Sequence, residues 1–208
     1  MKITTLEVAG LEPALKGMRN PMNSWSKSDS EYVKLTDRYK IGKDDMRLAT
    51  SLKKAGTEHG KYLRMIQVWA DFDMPRYWWS EFDTYKIGTT ANSCSTMHKL
   101  LNNPNPITLD LFVTCEEDLD IAQIVVNRLE QLRQKYIETG KKDDRLLVRA
   151  KRLLMEGFLQ LRTVNLNYAT ISNIYHQRKH HRLKEEWINE FCTWVESLPY
   201  SKELIIGE

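Results

Sequence analysis

Between Asn165 and Trp194, NLNYATISNIYHQRKHHRLKEEWINEFCTW carries two apolar stripes of helical period that are out of phase with each other. One straight helix cannot bury both, so the chain must bend between them. Ile171, Ile174 and Tyr175 make the first stripe; Leu183, Trp187, Phe191, Trp194 and Leu198 make the second. The break falls near His180 and His181, inside HQRKHHRLK, which packs four Lys/Arg and three His into nine residues. Arg178 lies on the first stripe, at i+7 from Ile171 and i+3 from Tyr175, and Asn167 extends that stripe one turn upstream. A guanidinium on a core-facing stripe either bends out to water or meets an anionic partner, because an unpaired buried charge costs roughly several kcal/mol. Two readings stay open: a bend with a solvated basic face, or an anion-binding corner between two helices.

The rest of the chain must supply what these stripes pack against. With 208 residues it can fill one core, and we expect a single domain. A net charge of +3 is mild, so any preference for anions has to come from local clusters such as the corner. No apolar run reaches the roughly 20 residues that span a bilayer, and MKITTLEVAG lacks the apolar region of a signal peptide, so the expectation is a cytoplasmic protein with no membrane partner. Cys94, Cys115 and Cys192 are widely spaced, odd in number and without CxxC, which argues for reduced thiols.

Lys2 to Val8 reads as an opening strand, and residues 9–30 as a loop-rich region with one short helix. Asp44 or Asp45 is expected to cap a helix that turns Met46, Leu48, Ala49, Leu52 and Ala55 inward and stops at Gly56. In Leu63–Phe72, Ile66, Val68, Ala70 and Phe72 alternate with Gln67, Trp69 and Asp71, a half-buried strand closed by Pro75. Tyr77-Trp78-Trp79 leads into EFDTYKIGTTANSCSTMHKL, which reads as a polar loop. Asn102 to Pro106 is a breaker. Acidic residues from Glu116 to Asp120 open a long helix, with Ile121, Val125, Leu129, Leu132 and Tyr136 as its buried stripe and Gly140 as its end. Asp143 caps the next helix, along which Arg145, Arg149 and Arg152 recur in line, a wet face or a phosphate grip. The fold class is α+β, a small early sheet followed by long helices.

No GxGxxG, P-loop, GxSxG or HExxH occurs. His176 and His180 sit at i, i+4, but no carboxylate shares their face and Lys/Arg crowd it, so no metal site is expected. Cys94 has no base beside it in sequence and reads as an incidental thiol. RKHHRLK could neutralise nucleic-acid phosphates while Tyr77, Trp78 and Trp79 stack on bases. Trp78, Trp79, Trp187 and Trp194 are better explained as packing around helix ends.

Three stretches, in this order, resemble the flavin-dependent thymidylate synthase family, also called thymidylate synthase complementing proteins. AGTEHGKYLRMIQVWADFDMPRYWWSEFDTYK has Glu58 and His59 where the family has a glutamate-histidine pair before a strand. RAKRLLMEGF resembles the family's A-R-x-x-L-P turn, with Arg152 at the nucleotide-gripping arginine and Met155 in place of the proline. Asn167, Asn173 and Arg178 match N-x5-N-x4-R. The likeness runs from about residue 40 to residue 195. It implies the family's fold and a homotetramer with active sites between subunits. It also implies a reaction in which reduced FAD passes a hydride while folate supplies a one-carbon unit to C5 of dUMP, with NADPH as reductant.

By that resemblance Asn167 and Asn173, with His59 and Thr84, hold the flavin, and Arg152, Arg178, Lys86, Tyr85 and Thr89 hold the pyrimidine nucleotide. The family's Arg-His-Arg-x-x-Ser signature is rewritten. In ungapped register its place is taken by Thr84, Tyr85, Lys86 and Thr89, then Asn92, Cys94 and Thr96; a shift of one residue aligns Asn92 and Ser95 instead. Cys94 near the base would be a replacement nucleophile for C6 of a pyrimidine. The expectation is therefore a divergent member that binds a pyrimidine nucleotide, with FAD if the reaction persists. The alternatives are a non-catalytic nucleotide-binding or scaffold protein of the same fold, and a single-stranded nucleic-acid binder.

Overall fold

The strict alternation after Ile66 makes the strand from which the interior is built: Val68, Ala70, Phe72 and Met74 are fully buried along β4 (Gln67–Pro75). In this computed structural model, which describes residues 1–35 and 38–207, β4 lies in a four-stranded sheet. Its other strands are β1 (Lys2–Ala9), β5 (Thr89–Ser93) and β6 (Leu159–Asn167), in the order β1-β4-β6-β5. A separate hairpin pairs β2 (Glu31–Val33) with β3 (Arg38–Lys40) antiparallel, Tyr32 opposite Tyr39. The helices are α1 (Leu11–Met18), α2 (Lys43–Lys54), α3 (Arg76–Phe82), α4 (Thr96–Lys99), α5 (Leu119–Glu138), α6 (Asp144–Leu153), α7 (Tyr168–Arg178) and α8 (Thr193–Glu196). The expected α+β class holds. No helix among the described residues is long and apolar enough to cross a membrane.

The chain forms two compact units. One comprises Met1–Lys2, Phe72–Thr84 and Asn92–Thr163; the other comprises Ile3–Asp71, Tyr85–Ala91 and the chain from Val164 onward. In the first, Val126, Leu129 and Leu132 of α5 and Leu146 and Ala150 of α6 share a core with Leu100, Leu101, Ile107, Phe112 and Leu154. Beside it Phe72, Trp78, Trp79 and Phe82 form a ring cluster with centroids 4.8–6.1 Å apart. Trp79 also carries the Arg162 guanidinium 4.1 Å above it, which is held by Asp83 at 2.9 Å. Trp78 and Trp79 are thus interior residues, which removes the base-stacking platform that the nucleic-acid reading needs.

In the second unit α7 packs against the 3-10 turn Gly60–Met65 and the π-helical segment Lys202–Ile206. Trp187, Phe191 and Trp194, on the π-helical stretch Lys184–Cys192 and the start of α8, pack in series, edge-on at 5.4 Å and tilted at 5.6 Å between centroids. The bend between the two stripes lies where the period breaks, after Arg178.

Four expectations are corrected. Asp44 and Asp45 do not cap α2: Gly42 is the N-cap residue, and the Asp29 carboxylate, reaching in from the preceding loop, accepts from Asp44 N and Asp45 N at 2.9 and 3.0 Å. The buried face of α5 holds Leu129 and Leu132 with Val125 and Tyr136 packed against the same core, but Ala122 and Val126 are inside where Ile121 was expected, and Ile121 is 59% exposed. Arg133 also lies on the buried face, its fork held by Glu130 at 2.7 Å and by the Asn103 carbonyl at 2.9 Å. An apolar count cannot see that. Residues 89–93 and 96–99 are a strand and a short helix rather than loop, but β5 is almost wholly exposed and so has no alternating pattern to read. Asn167 does not continue the α7 stripe; it ends β6 and begins the helix from an extended conformation.

Asp45 is fully buried against Arg19 at 2.5 Å, and the Ser28 and Ser30 hydroxyls donate to its other oxygen. Burial alone would raise its carboxyl pKa, but those two hydroxyls and the guanidinium outweigh it and hold the group below the ordinary range. The ionised form is therefore favoured by folding. Its stabilisation is complete above the unfolded carboxylate range, about pH 4, and is lost as pH falls through the lower folded value. Asp45→Ala, which strands Arg19, should cost about 3–5 kcal/mol in urea denaturation at neutral pH, and the gap from wild type should narrow below about pH 4. A cost under about 1 kcal/mol, in the range of an exposed pair, would show that the pair is not a structural pin.

Candidate functional site

Helix α7 begins at a side-chain cap, Asn167 Oδ1 accepting from Thr170 N at 2.9 Å. Tyr168, Ile171, Ile174 and Tyr175 are its buried stripe. The loop Tyr85–Thr89 lies along this helix, attached at both ends. Near the start, the Thr170 hydroxyl donates to the Ile87 carbonyl at 3.1 Å. Gly88 sits there at φ +72°, so close that a Cβ would overlap Thr170 Oγ1 and Asn167 Nδ2. Near the end, Arg178 Nε donates to the Tyr85 hydroxyl at 2.7 Å, and that hydroxyl meets Gln177 Oε1 at 3.1 Å. The Thr89 hydroxyl donates to the Tyr85 carbonyl and folds the loop on itself.

Arg178 is half-buried. Its guanidinium lies 4.5 Å from the Trp187 ring centroid and 5.4 Å from that of Tyr85, both within cation–π reach. The polar chain continues from Gln177, whose Nε2 donates to Asn173 Oδ1 at 2.9 Å. Arg178, Tyr85, Gln177 and Asn173 are thus joined in one run of hydrogen bonds. Ring faces are thus among the partners of the arginine on the stripe, which the choice between water and an anion did not include. Beyond it, His176, Lys179, His180, Arg182 and Lys184 are exposed around the bend. Burial, with Lys179 and Lys53 nearby, pushes the His176 pKa down.

The expected site residues therefore divide. Tyr85, Thr89, Asn167, Asn173 and Arg178 come together on α7 and its loop, and Lys86 is exposed at the loop's surface. His59 belongs to the same unit but is exposed ahead of the Gly60–Met65 turn. Thr84, Cys94 and Arg152 belong to the other unit. The Thr84 hydroxyl donates to the Glu81 carbonyl at 2.7 Å. Cys94 is exposed after β5, its backbone N donating to the Leu161 carbonyl at 2.9 Å and its carbonyl accepting from Gln160 at 2.9 Å. Arg152 is exposed in the last turn of α6. Trp187, Gln177, Thr170 and Gly88 were not singled out as site residues. Only Gly88 carried a signal, as a glycine inside a run of hydroxyl residues.

No protein-family model matches the sequence, and no curated protein does. Solved structures do match. Flavin-dependent thymidylate synthase ThyX from Helicobacter pylori, complexed with FAD and dUMP, superposes with a TM-score of 0.74 at 17% identity, covering 99% of this chain and 98% of that one. A second structure of ThyX from the same organism with FAD and dUMP gives 0.73 at 17% identity over the same shares. The fold is that of a flavin-dependent thymidylate synthase.

Gly88→Ala tests how closely the loop is seated. Gly140, at φ +67° with nothing near its missing Cβ, is the control for the backbone cost alone, about 1–2 kcal/mol. Gly88→Ala should cost more than Gly140→Ala in chemical denaturation; equal costs would mean that the loop is not packed on α7.

Proposed function

We propose that this chain binds a pyrimidine nucleotide of the deoxyuridylate class on α7, with Arg178 as the anchor. The observation that carries the reading is Arg178 itself: a half-buried guanidinium, oriented by the hydrogen bond to Tyr85 and by the rings of Tyr85 and Trp187, inside an exposed basic bend. Orienting a charged fork before the ligand arrives reduces the ordering cost of binding, and a guanidinium suits both a phosphate and the carbonyl oxygens of a uracil ring. The likeness in fold to synthases solved with dUMP supports the same class of ligand.

The residues assigned to the flavin support FAD less well. Asn167 Oδ1 is taken by the helix cap and Asn173 Oδ1 by Gln177, while the Thr84 hydroxyl is bonded within its own turn. Residues 84–89 hold one cation, Lys86, where the diphosphate of FAD carries two negative charges. These side chains offer a flavin fewer polar groups than the resemblance implies. Folate and NADPH serve the flavin reaction and fall with it. This favours the binding protein over the synthase.

In calorimetric titration with dUMP, Arg178→Ala should weaken binding about ten- to a hundredfold, the worth of a charge-assisted hydrogen bond. Arg178→Lys should recover little of that, since it keeps the charge and loses the fork. Equal affinity in wild type and Arg178→Ala would remove the proposal. The purified protein should be colourless after incubation with FAD and gel filtration; a yellow protein would restore the synthase reading.

A further inference from the structure

We infer that Tyr85 is a positioning residue for Arg178 and not itself a contact to the nucleotide, an inference that rests on the binding reading above. Its hydroxyl accepts from Arg178 Nε at 2.7 Å, so its own proton is directed to Gln177 Oε1 at 3.1 Å. Gln177 then has to present Nε2 to Asn173, as it does at 2.9 Å. The direction of every donor in the run is set by the one at Arg178, which has no acceptor capacity and can only donate. Phenylalanine at position 85 would keep the ring beneath the guanidinium and remove both hydrogen bonds.

The placement of Tyr85 has a second consequence. The loop is already attached at the start of α7 through Thr170 and Gly88, so the Tyr85 hydroxyl is not needed to hold the loop on the helix. What it adds is at the other end, where it fixes the plane of the arginine against the Trp187 ring, 4.5 Å away. Tyr85 occupies the position that, in ungapped register, holds the histidine of the signature this chain lacks.

The test has two arms. In the nucleotide-free protein the Nε–H resonance of Arg178, assigned by its loss in Arg178→Lys, should exchange slowly with water and become at least tenfold faster in Tyr85→Phe. In dUMP titrations Tyr85→Phe should weaken binding about tenfold with an unchanged thermal midpoint, and adding it to Arg178→Ala should lower affinity by less than a further twofold. Losses that multiply in the double variant would make Tyr85 a direct ligand contact and overturn the inference. An Nε–H that exchanges equally fast in wild type and Tyr85→Phe would overturn it too. If wild type binds no dUMP at all, the binding proposal fails, and the exchange arm alone then decides whether Tyr85 positions Arg178.

Discussion

The hydrogen bond from Arg178 Nε to the Tyr85 hydroxyl joins the two segments from which the candidate site is made, at the end opposite the bond from the Thr170 hydroxyl to the Ile87 carbonyl. Helix α7 ends at Arg178 and the chain then turns, which brings Trp187 against the guanidinium from the far side of the bend. A longer helix would carry the arginine's neighbours straight on, and without the bend there would be no second ring. The apolar stripe of α7 buries Ile171, Ile174 and Tyr175, which fixes the rotation of the helix and with it the direction in which Arg178 leaves the backbone.

What was legible in the sequence is what depends on neighbours in sequence. The alternation of β4, the cap at Asp143, the ends of α2 and α5 near Gly56 and Gly140, and the bend after Arg178 each follow from side chains within a few positions of one another. Strand β6 was missed because its apolar residues change phase: Leu159 and Leu161 alternate in one register, Val164 and Leu166 in the other. Long-range pairs were illegible for the same reason. Asp29 caps a helix whose first turn is fifteen or more residues away, and the rings that receive Arg178 come from both sides of it in the chain.

The candidate site was half legible. Asn167, Asn173 and Arg178 stand out by resemblance to the family's N-x5-N-x4-R pattern, and the structure brings Tyr85 and Thr89 to the same helix. Two of them have further roles that the resemblance does not imply. Asn167 is first a helix cap, and Asn173 is first the partner of Gln177, so two amides expected to face a cofactor have structural work within the helix. None of the buried elements depends on residues 84–89 for core volume: Thr84, Lys86, Ile87 and Gly88 are exposed, and Tyr85 and Thr89 are only half-buried. Chemistry can be rewritten there while β4, β6 and α7 keep their packing.

The most direct measurement is a crystal structure of the chain grown with saturating dUMP. The expected result is a nucleotide with its phosphate or a uracil carbonyl within hydrogen-bond distance of the Arg178 guanidinium, and the Arg178–Tyr85 bond intact. A nucleotide bound elsewhere, or Arg178 swung out to solvent with no nucleotide beside it, would contradict the assignment of α7 as the binding element.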